Sequence, residues 1–421
     1  MISVEDAIGR ILEQIPRLGK ERVNILDSRG RVLAEEIEAS MDIPPWNNAA
    51  MDGYAVRWAD IRQASPKKPV RLKVLADLPA GSVFQGRLHS GEAVRIMTGA
   101  PLPQGADTVV QVESTEKIAA RVKILDVPAR GGNVRRAGED VRKGQKVLRE
   151  GEILRPAHIG MLSSLKRAFV SVYQRPRVAI LSTGDELLEI DEPWAEGKII
   201  NSNSYTLAAL VSENGGVPLQ LGIAKDRRED LAQKIRAGLV ADLLLTSGGV
   251  SMGDYDLVKE ILHDLGQMSF WKVAMRPGQP LAFGRVEGKP LFGLPGNPVS
   301  AMVSFEQFVR PAIRKMSGHL HLFRLALRAV LGETLGKKAT HTYFLRCRLS
   351  WENGKILAST TGEQGSAILS SMIKAQGLIV LPPGQTLAHA GQEVKVLLLD
   401  PEFAHTPLPT YLGKEGGPKG D

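Results

Sequence analysis

Between Arg177 and about Gly318 the hydrophobic period of the chain switches repeatedly, and this alternation constrains the fold more than any other feature. "RVAILSTG" is an apolar run of strand length, "NSYTLAALVSENGG" has helical spacing and a glycine stop, and "VPLQLGIAKD" returns to strand. "RREDLAQKIRAGL" then reads as helix, "ADLLLTSGG" as strand, "DYDLVKEILHDLG" as helix, "SFWKVAM" as strand, and "NPVSAMVSFEQFVRPAIRKMSG" as a long closing helix. Strands that alternate with helices imply a doubly wound, mostly parallel α/β sheet covered on both faces.

The flanking sequence reads differently. Residues 1–42 suggest helix, turn and helix or short strand, ended by the prolines and asparagines of "MDIPPWNNAAMDGYAV". The short β-rich runs "VRLKVLA", "EAVRIMTGA", "DTVVQVE" and "RVKILDV" suggest a small inserted β domain over 43–137. Helical spacing returns in "GEILRPAHIGMLSSLKRAFVSVY", and pairing it with the N-terminal helices gives a discontinuous first domain of 1–42 and 138–175. The α/β domain occupies 176–318, a small C-terminal β-barrel 319–403, and a Gly-, Pro- and Lys-rich stretch over 404–421 reads as a disordered tail.

Composition narrows the function. A net charge of +8 favours anionic partners, but the basic residues are mixed with acids and no nucleic-acid-binding signature accompanies them, so nucleic acid is not expected. The densest basic cluster, "RRAGEDVRKGQK", reads as a solvated loop between domains. The amphipathic start "MISVEDAIGRILEQIPRLG" lacks the unbroken apolar stretch of a signal peptide, and the expectation is a cytoplasmic protein with no membrane partner. Cys347 is the single cysteine, so this chain alone builds no internal disulfide, thiolate zinc cage or iron–sulfur cluster. None of the eight histidines belongs to an HExxH motif, and no Gly-x-Ser-x-Gly elbow is present.

Ligands of open parallel sheets bind beyond the carboxyl ends of the strands. Three loops there are unusual together: "STGDEL" with Thr183, Gly184, Asp185 and Glu186; "TSGGVSMGD" with Ser247, Gly248, Gly249, Ser251, Gly253 and Asp254; and "GLPGNPVS" with Pro295, Gly296, Asn297 and Ser300. Glycine lets backbone amides approach an anion, and a helix N-terminus favours negative charge. A lone Gly-Gly turn is an ordinary connection; three such loops at one edge suggest an anion. No lysine follows the glycines as a P-loop requires.

The same loops carry Asp185, Glu186, Asp254 and Asp256. A carboxylate about 4 Å from a phosphate is opposed by roughly 4 kcal/mol at an effective dielectric of 20, so the two coexist around a cation. All-oxygen donors suit Mg²⁺, although Asp185 and Asp254 could also be plain helix caps. "MRPGQP" adds Arg276, Gly278 and Gln279, and "NSNS" adds Ser202 and Asn203. Arg276 could clamp an oxyanion or pair with a surface acid. Asn47, Asn48 and Asp52 lie in "NNAAMDGYAV", where Asp52-Gly53 alone would read as a hairpin turn.

Taken together, "PPWNNAAMDGYAV", "RIMTGAPLPQGADTVVQVE", "RRAGEDV", "STGDEL", "TSGGVSMGDYD", "MRPGQP" and "GLPGNPVS" resemble the MoeA and gephyrin E-domain family of molybdopterin molybdenumtransferases, over about residues 1 to 400. The resemblance implies a homodimer that inserts molybdenum from molybdate into the dithiolene of adenylylated molybdopterin, with Mg²⁺-dependent release of AMP. It implies catalytic roles for Thr98, Glu186, Asp226 and Asp256, joined by Asp52 and Asp140 from the partner subunit. Glu186, Asp254 and Asp256 would carry Mg²⁺, the glycine loops would hold the pterin phosphate and nucleotide, and Arg276, Ser300, Arg346 and Ser370 would grip molybdate. The molybdopterin adenylyltransferase is an implied partner. One departure stands out: many family members have lysine at both polar positions of "MRPGQP", where this chain has Arg276 and Gln279. Two other functions share parts of this pattern, a phosphate-transfer enzyme acting on another nucleotide and a non-catalytic, gephyrin-like scaffold.

Overall fold

Ser3 caps the first helix, Val4–Gln14, by accepting a hydrogen bond from the Asp6 amide at 2.9 Å, and Glu5 and Asp6 complement its positive end. The structure, a computed structural model, describes residues 1–249, 260–261, 264, 266–352 and 354–405. Its residues divide into two units: 1–21, 30–32 and 172 onward in one, and 22–29 with 33–171 in the other. Val4, Ala7 and Ile11 form one helical stripe and share a core with Phe305, Phe308, Val309 and Ala312. The first helix therefore belongs to the α/β unit. The rest of the N-terminal segment does join the 138–175 stretch: Ile37–Glu38 pairs with Lys146–Leu148, and the Leu33 and Ala34 amides donate to the Glu152 and Ser171 carbonyls, both at 2.9 Å. That stretch forms only a short helix, Pro156–Ser164, before the strand Phe169–Tyr173.

In the first unit the sheet order is Val217–Ala224, Arg177–Thr183, Leu243–Ser247, Lys289–Leu294, Pro280–Val286, Gly266–Lys272. The first four strands are parallel neighbours. Alternation along Arg177–Thr183 divides its side chains between two cores: Val178 and Ile180 pack with Leu207 and Val211 of one helix, Ala179 and Leu181 with Leu231 and Ile235 of another. This is the doubly covered sheet that the alternating period predicts.

The last two strands differ from the expectation. Pro280–Val286 and Lys289–Leu294 form an antiparallel hairpin, and Gly266–Lys272 pairs antiparallel with it. Glu287 (φ 47°) and Gly288 (φ 78°) make its two-residue turn, with the positive φ at both positions that a type I′ turn demands. The closing helix runs from Pro298 to Met316 but loosens to a π-helical turn over Phe305–Val309. Pro311 explains this, since it has no N–H for the preceding turn and its ring crowds the carbonyl there. The expected helix after Leu243–Ser247 falls mostly outside the described residues; Glu260, Ile261 and Asp264 are helical. Of the expected tail, residues 406–421 are also outside them.

A closed barrel follows in the same unit. Thr342–Glu352, Lys355–Thr360, Ala326–Leu331, Glu393–Leu398 and Gly377–Leu381 pair in turn, and the last returns to the first. The short strand Met275–Arg276 adds to the first residues of Thr342–Glu352, in register Met275–Thr342 and Arg276–Tyr343.

The second unit holds a six-stranded sheet ordered Thr108–Gln111, Gly53–Val56, Glu92–Ile96, Val70–Leu78, Arg121–Ile124, Thr115–Ile118. Gly53 is no hairpin turn. It opens a strand opposite Gln111 and Ile96, and a Cβ there would fall 2.0 Å from the Val110 carbonyl oxygen, which excludes any other residue. Nor is "RRAGEDVRKGQK" a free linker: the amides of Gly138 and Asp140 donate to the Pro44 and Ile43 carbonyls at 3.0 Å, and that of Lys143 donates to Asp42 Oδ1 at 2.8 Å. Among the described residues no helix is long and apolar enough to cross a membrane.

Candidate active site at the carboxyl edge of the α/β sheet

Strand register brings the glycine loops together. Ser182 lies opposite Ser247, Ser247 opposite Leu294, and Thr183 opposite Ala224, so four loops leave the sheet at one edge. They touch. The Gly248 amide donates to the Leu294 carbonyl at 3.1 Å and the Gly184 amide to the Ala224 carbonyl at 3.3 Å. Gly248 has φ +92°, and a Cβ on it would lie 2.7 Å from the Thr183 carbonyl oxygen, so this approach requires glycine. Asn203 Nδ2 donates to Ser247 Oγ and to the Gly296 carbonyl, both at 2.8 Å, tying two loops to the start of the helix Ser202–Glu213. Asn203 thus acts as a strut.

Behind that strut Asn201, which the sequence reading passed over, caps the helix. Its Oδ1 accepts from the Ser204 amide and from Ser182 Oγ at 2.8 Å, while its Nδ2 is buried without a partner. Pro295 is buried, Gly296 and Asn297 are exposed, and the Asn297 side chain makes no cap hydrogen bond. Gly249 has φ +64° and follows directly. Ser251, Gly253, Asp254 and Asp256, all expected here, lie outside the described residues.

The acids also converge. Asp185 Oδ1 accepts from the Asp226 amide at 3.2 Å, and Glu186 folds back so that a Cβ on Gly184 would meet its carboxylate. Asp185, Glu186 and Asp226 are exposed and make no ion pair among the described residues; Lys198 Nζ donates instead to the Asp185 backbone carbonyl. Partial desolvation, and then repulsion from Asp185 and Glu186, raises the Asp226 carboxyl above its ordinary range, against a backbone hydrogen bond from Asp185. Carboxylates crowded on adjacent loops present only hard oxygen donors, which suits Mg²⁺. Among the described residues no three such side chains close into a cage.

A second polar edge lies where the "MRPGQP" turn meets the closing helix and the barrel. Gly278 (φ +94°) nests on that helix: a Cβ would lie 2.5 Å from Ser304 Oγ and 3.4 Å from the Ser300 carbonyl oxygen. Ser304 Oγ is buried without a partner, and Ser300 is 5% exposed. Arg276 is exposed and makes no ion pair among the described residues, so the surface-pair alternative for it is not realised there. Gln279 Nε2 lies 3.3 Å from His341 Nε2.

Arg346 is placed differently from the expectation. It is wholly buried, with Nε donating to Ser371 Oγ at 3.0 Å and the guanidinium to the carbonyls of Gln364 at 3.2 Å and Gly365 at 2.9 Å. Burial lowers its pKa. Its donors hold the 361–371 loop, which in turn accepts the Val299 amide on the Ser366 carbonyl at 3.1 Å, beside Ser300. Arg346 is a buttress here rather than an open grip on an anion. The serine that bonds it is Ser371, whereas Ser370 is exposed.

In the second unit Asp52 and Thr98 are brought together. Asp52 Oδ1 accepts from the Thr98 amide at 2.8 Å and from Thr98 Oγ1 at 2.7 Å. Those bonds, the backbone one first, hold its carboxyl below the ordinary range. Asp140 is exposed, on the segment stitched to Ile43 and Pro44.

Three family models match this chain in order: the MoeA N-terminal region (domain I and II) over residues 2–165, a probable molybdopterin binding domain over 179–315, and the MoeA C-terminal region (domain IV) over 328–399. The molybdopterin molybdenumtransferase of Nostoc sp. is 38% identical over 414 residues, covering 95% of this chain and 94% of that protein. That of Haemophilus influenzae is 37% identical over 401 residues, covering 94% and 98%. Two crystal structures of the molybdopterin biosynthesis MoeA protein of Pyrococcus horikoshii superpose with TM-scores of 0.83 and 0.81 at 32% identity, covering 94% and 95% of this chain and 99% and 100% of theirs. By sequence over nearly its whole length, and by fold, the chain belongs to the MoeA family of molybdopterin molybdenumtransferases.

Proposed function

We propose that this protein inserts molybdenum from molybdate into the dithiolene of adenylylated molybdopterin, with Mg²⁺-dependent cleavage of the phosphoanhydride and release of AMP. The observation that carries the reading is the meeting of four loops at one sheet edge, where Asn203 joins the Ser247 and Gly296 loops and Asp226 joins Asp185. Glycine at 184, 248 and 249 leaves the backbone of these loops open to close approach by phosphate oxygens. Glu186, with Asp185 and Asp226 beside it, supplies negative charge that a phosphate tolerates only across a cation. Asp185, Glu186 and Asp226 would hold Mg²⁺, which would supply charge neutralisation as the phosphoanhydride breaks. Arg276 and Ser300 are the proposed contacts for molybdate, with Arg346 supporting their loop. Asp52, oriented by Thr98, and Asp140 are proposed to act in a homodimer. The soluble substrates fit a cytoplasmic setting.

The test is AMP release from adenylylated molybdopterin by the purified full-length protein with Mg²⁺, with and without molybdate. Molybdate-dependent release is expected. Release that ignores molybdate would point to phosphate transfer on another nucleotide, and no release from intact protein would refute the enzyme reading. Size-exclusion chromatography with light scattering checks the dimer.

A further inference from the structure

His341 sits one residue before the point where Thr342 pairs with Met275, which sets its ring beside the Arg276–Gln279 turn. Only 7% of the residue is exposed. Its Nδ1 lies 2.7 Å from Thr340 Oγ1 and its Nε2 lies 3.3 Å from Gln279 Nε2. Lys337 Nζ donates to the His341 carbonyl at 2.9 Å and lies over the Tyr343 ring, 5.2 Å from its centroid. The charged groups acting on the imidazole are Arg276, Lys337 and Lys338, all positive.

The nitrogen–nitrogen contact admits one hydrogen-bond arrangement. A neutral ring accepts from the Gln279 amide at Nε2 and donates from Nδ1 to Thr340. A protonated ring has a donor at both nitrogens, so Gln279 must turn its carbonyl oxygen to the ring, and its NH₂ group then faces away. Burial first, and then the three cations, hold the imidazole below its ordinary range, which keeps the ring neutral near pH 7. A dianion placed beside Arg276 reverses the local field and favours the imidazolium.

We propose that His341 is a positioning residue that gates Gln279: when an oxyanion binds beside Arg276 the ring takes up a proton, Gln279 turns, and its freed NH₂ donates to the anion. Capture of molybdate is then coupled to uptake of a proton. The histidine supplies a further positive charge beside Arg276 only when the pocket is filled. The inference rests on the proposed seat of molybdate at Arg276 and Ser300.

Titration calorimetry of molybdate against the full-length protein, run between about pH 6 and 8.5 in buffers of different ionisation heat, reads the coupling directly. Proton uptake approaching one per bound molybdate is expected between the ring's free and anion-bound pKa values, with affinity falling up to about tenfold per pH unit across that window. His341→Gln should bind without uptake and with a flat pH profile, and His341→Lys should restore affinity, still without uptake. No uptake in the wild type, or the same uptake in His341→Gln, overturns the proposal. Should the variants fail to fold, the wild-type ring titration followed by NMR decides: saturation with molybdate must raise the His341 pKa, and an unmoved titration overturns the gate. Molybdate-dependent AMP release without proton-linked binding would sink only the gate. Proton-linked binding in a protein that releases no AMP would sink the transferase reading and leave the gate standing.

Discussion

Replacing Arg346 by alanine separates two roles for that residue. The guanidinium is fully buried and bonds Ser371 Oγ and the carbonyls of Gln364 and Gly365 at 3.0, 3.2 and 2.9 Å. Hydrogen bonds to a charged donor contribute about 1.5–3 kcal/mol each, but Gly365 is exposed and water can take over there. Counting the other two and the cavity left behind, Arg346→Ala should loosen the barrel and its 361–371 loop by about 3–5 kcal/mol. The Ser366 carbonyl then loses its fixed place on the Val299 amide. Amide hydrogen exchange over 361–371 should rise by about two orders of magnitude for a loss of about 3 kcal/mol, and weaker molybdate binding should accompany it. Unchanged exchange with abolished molybdate binding would refute the buttress and make Arg346 a direct ligand.

Gly248→Ala forces a Cβ against the Thr183 backbone at φ +92°, so Tm should fall by the equivalent of about 1–3 kcal/mol and nucleotide binding should weaken together with it. Asp226→Asn removes one of three mutually repelling carboxylates; a higher Tm without Mg²⁺ and a several-fold greater Mg²⁺ requirement for AMP release are expected, and an unchanged Mg²⁺ titration would detach Asp226 from the cation. His319 is held down to about 4 by burial and by Arg314 and Arg310, and its Nδ1 has no partner. Between pH 6.5 and 4 the unfolded chain binds more protons than the folded one, so stability is full above about pH 6.5 and falls with pH. Allowing for solvent screening, denaturant melts at pH 7 and 5 should differ by about 1–2 kcal/mol more in the wild type than in His319→Gln.

The sequence displayed Val217–Ala224, Arg177–Thr183 and Leu243–Ser247 because each is an apolar run of strand length set between segments of helical period. It hid the Pro280–Leu294 hairpin, whose turn signal is only Glu287-Gly288 and whose strands sit between two louder motifs. The packing of the first helix against the closing helix was hidden for a related reason: the stripe Val4, Ala7, Ile11 announces a buried face but not the surface that receives it. At the site, the glycine and acid loops were legible as local chemistry, and strand register confirms that they share an edge. Arg346, Ser371 and His341 were not legible in the same way. Their surroundings are set by strand pairings and by a loop of the barrel, and nothing in the local sequence distinguishes a buried buttress from an exposed grip, or Ser370 from Ser371.

The barrel core has one more implication. Its Cys347 is wholly buried, and burial pushes the thiol up to about 12, so hardly any thiolate exists at neutral pH. This is the only cysteine in 421 residues. In the proposed transfer of molybdenum to the two sulfurs of a pterin, no thiolate of the chain competes for the metal.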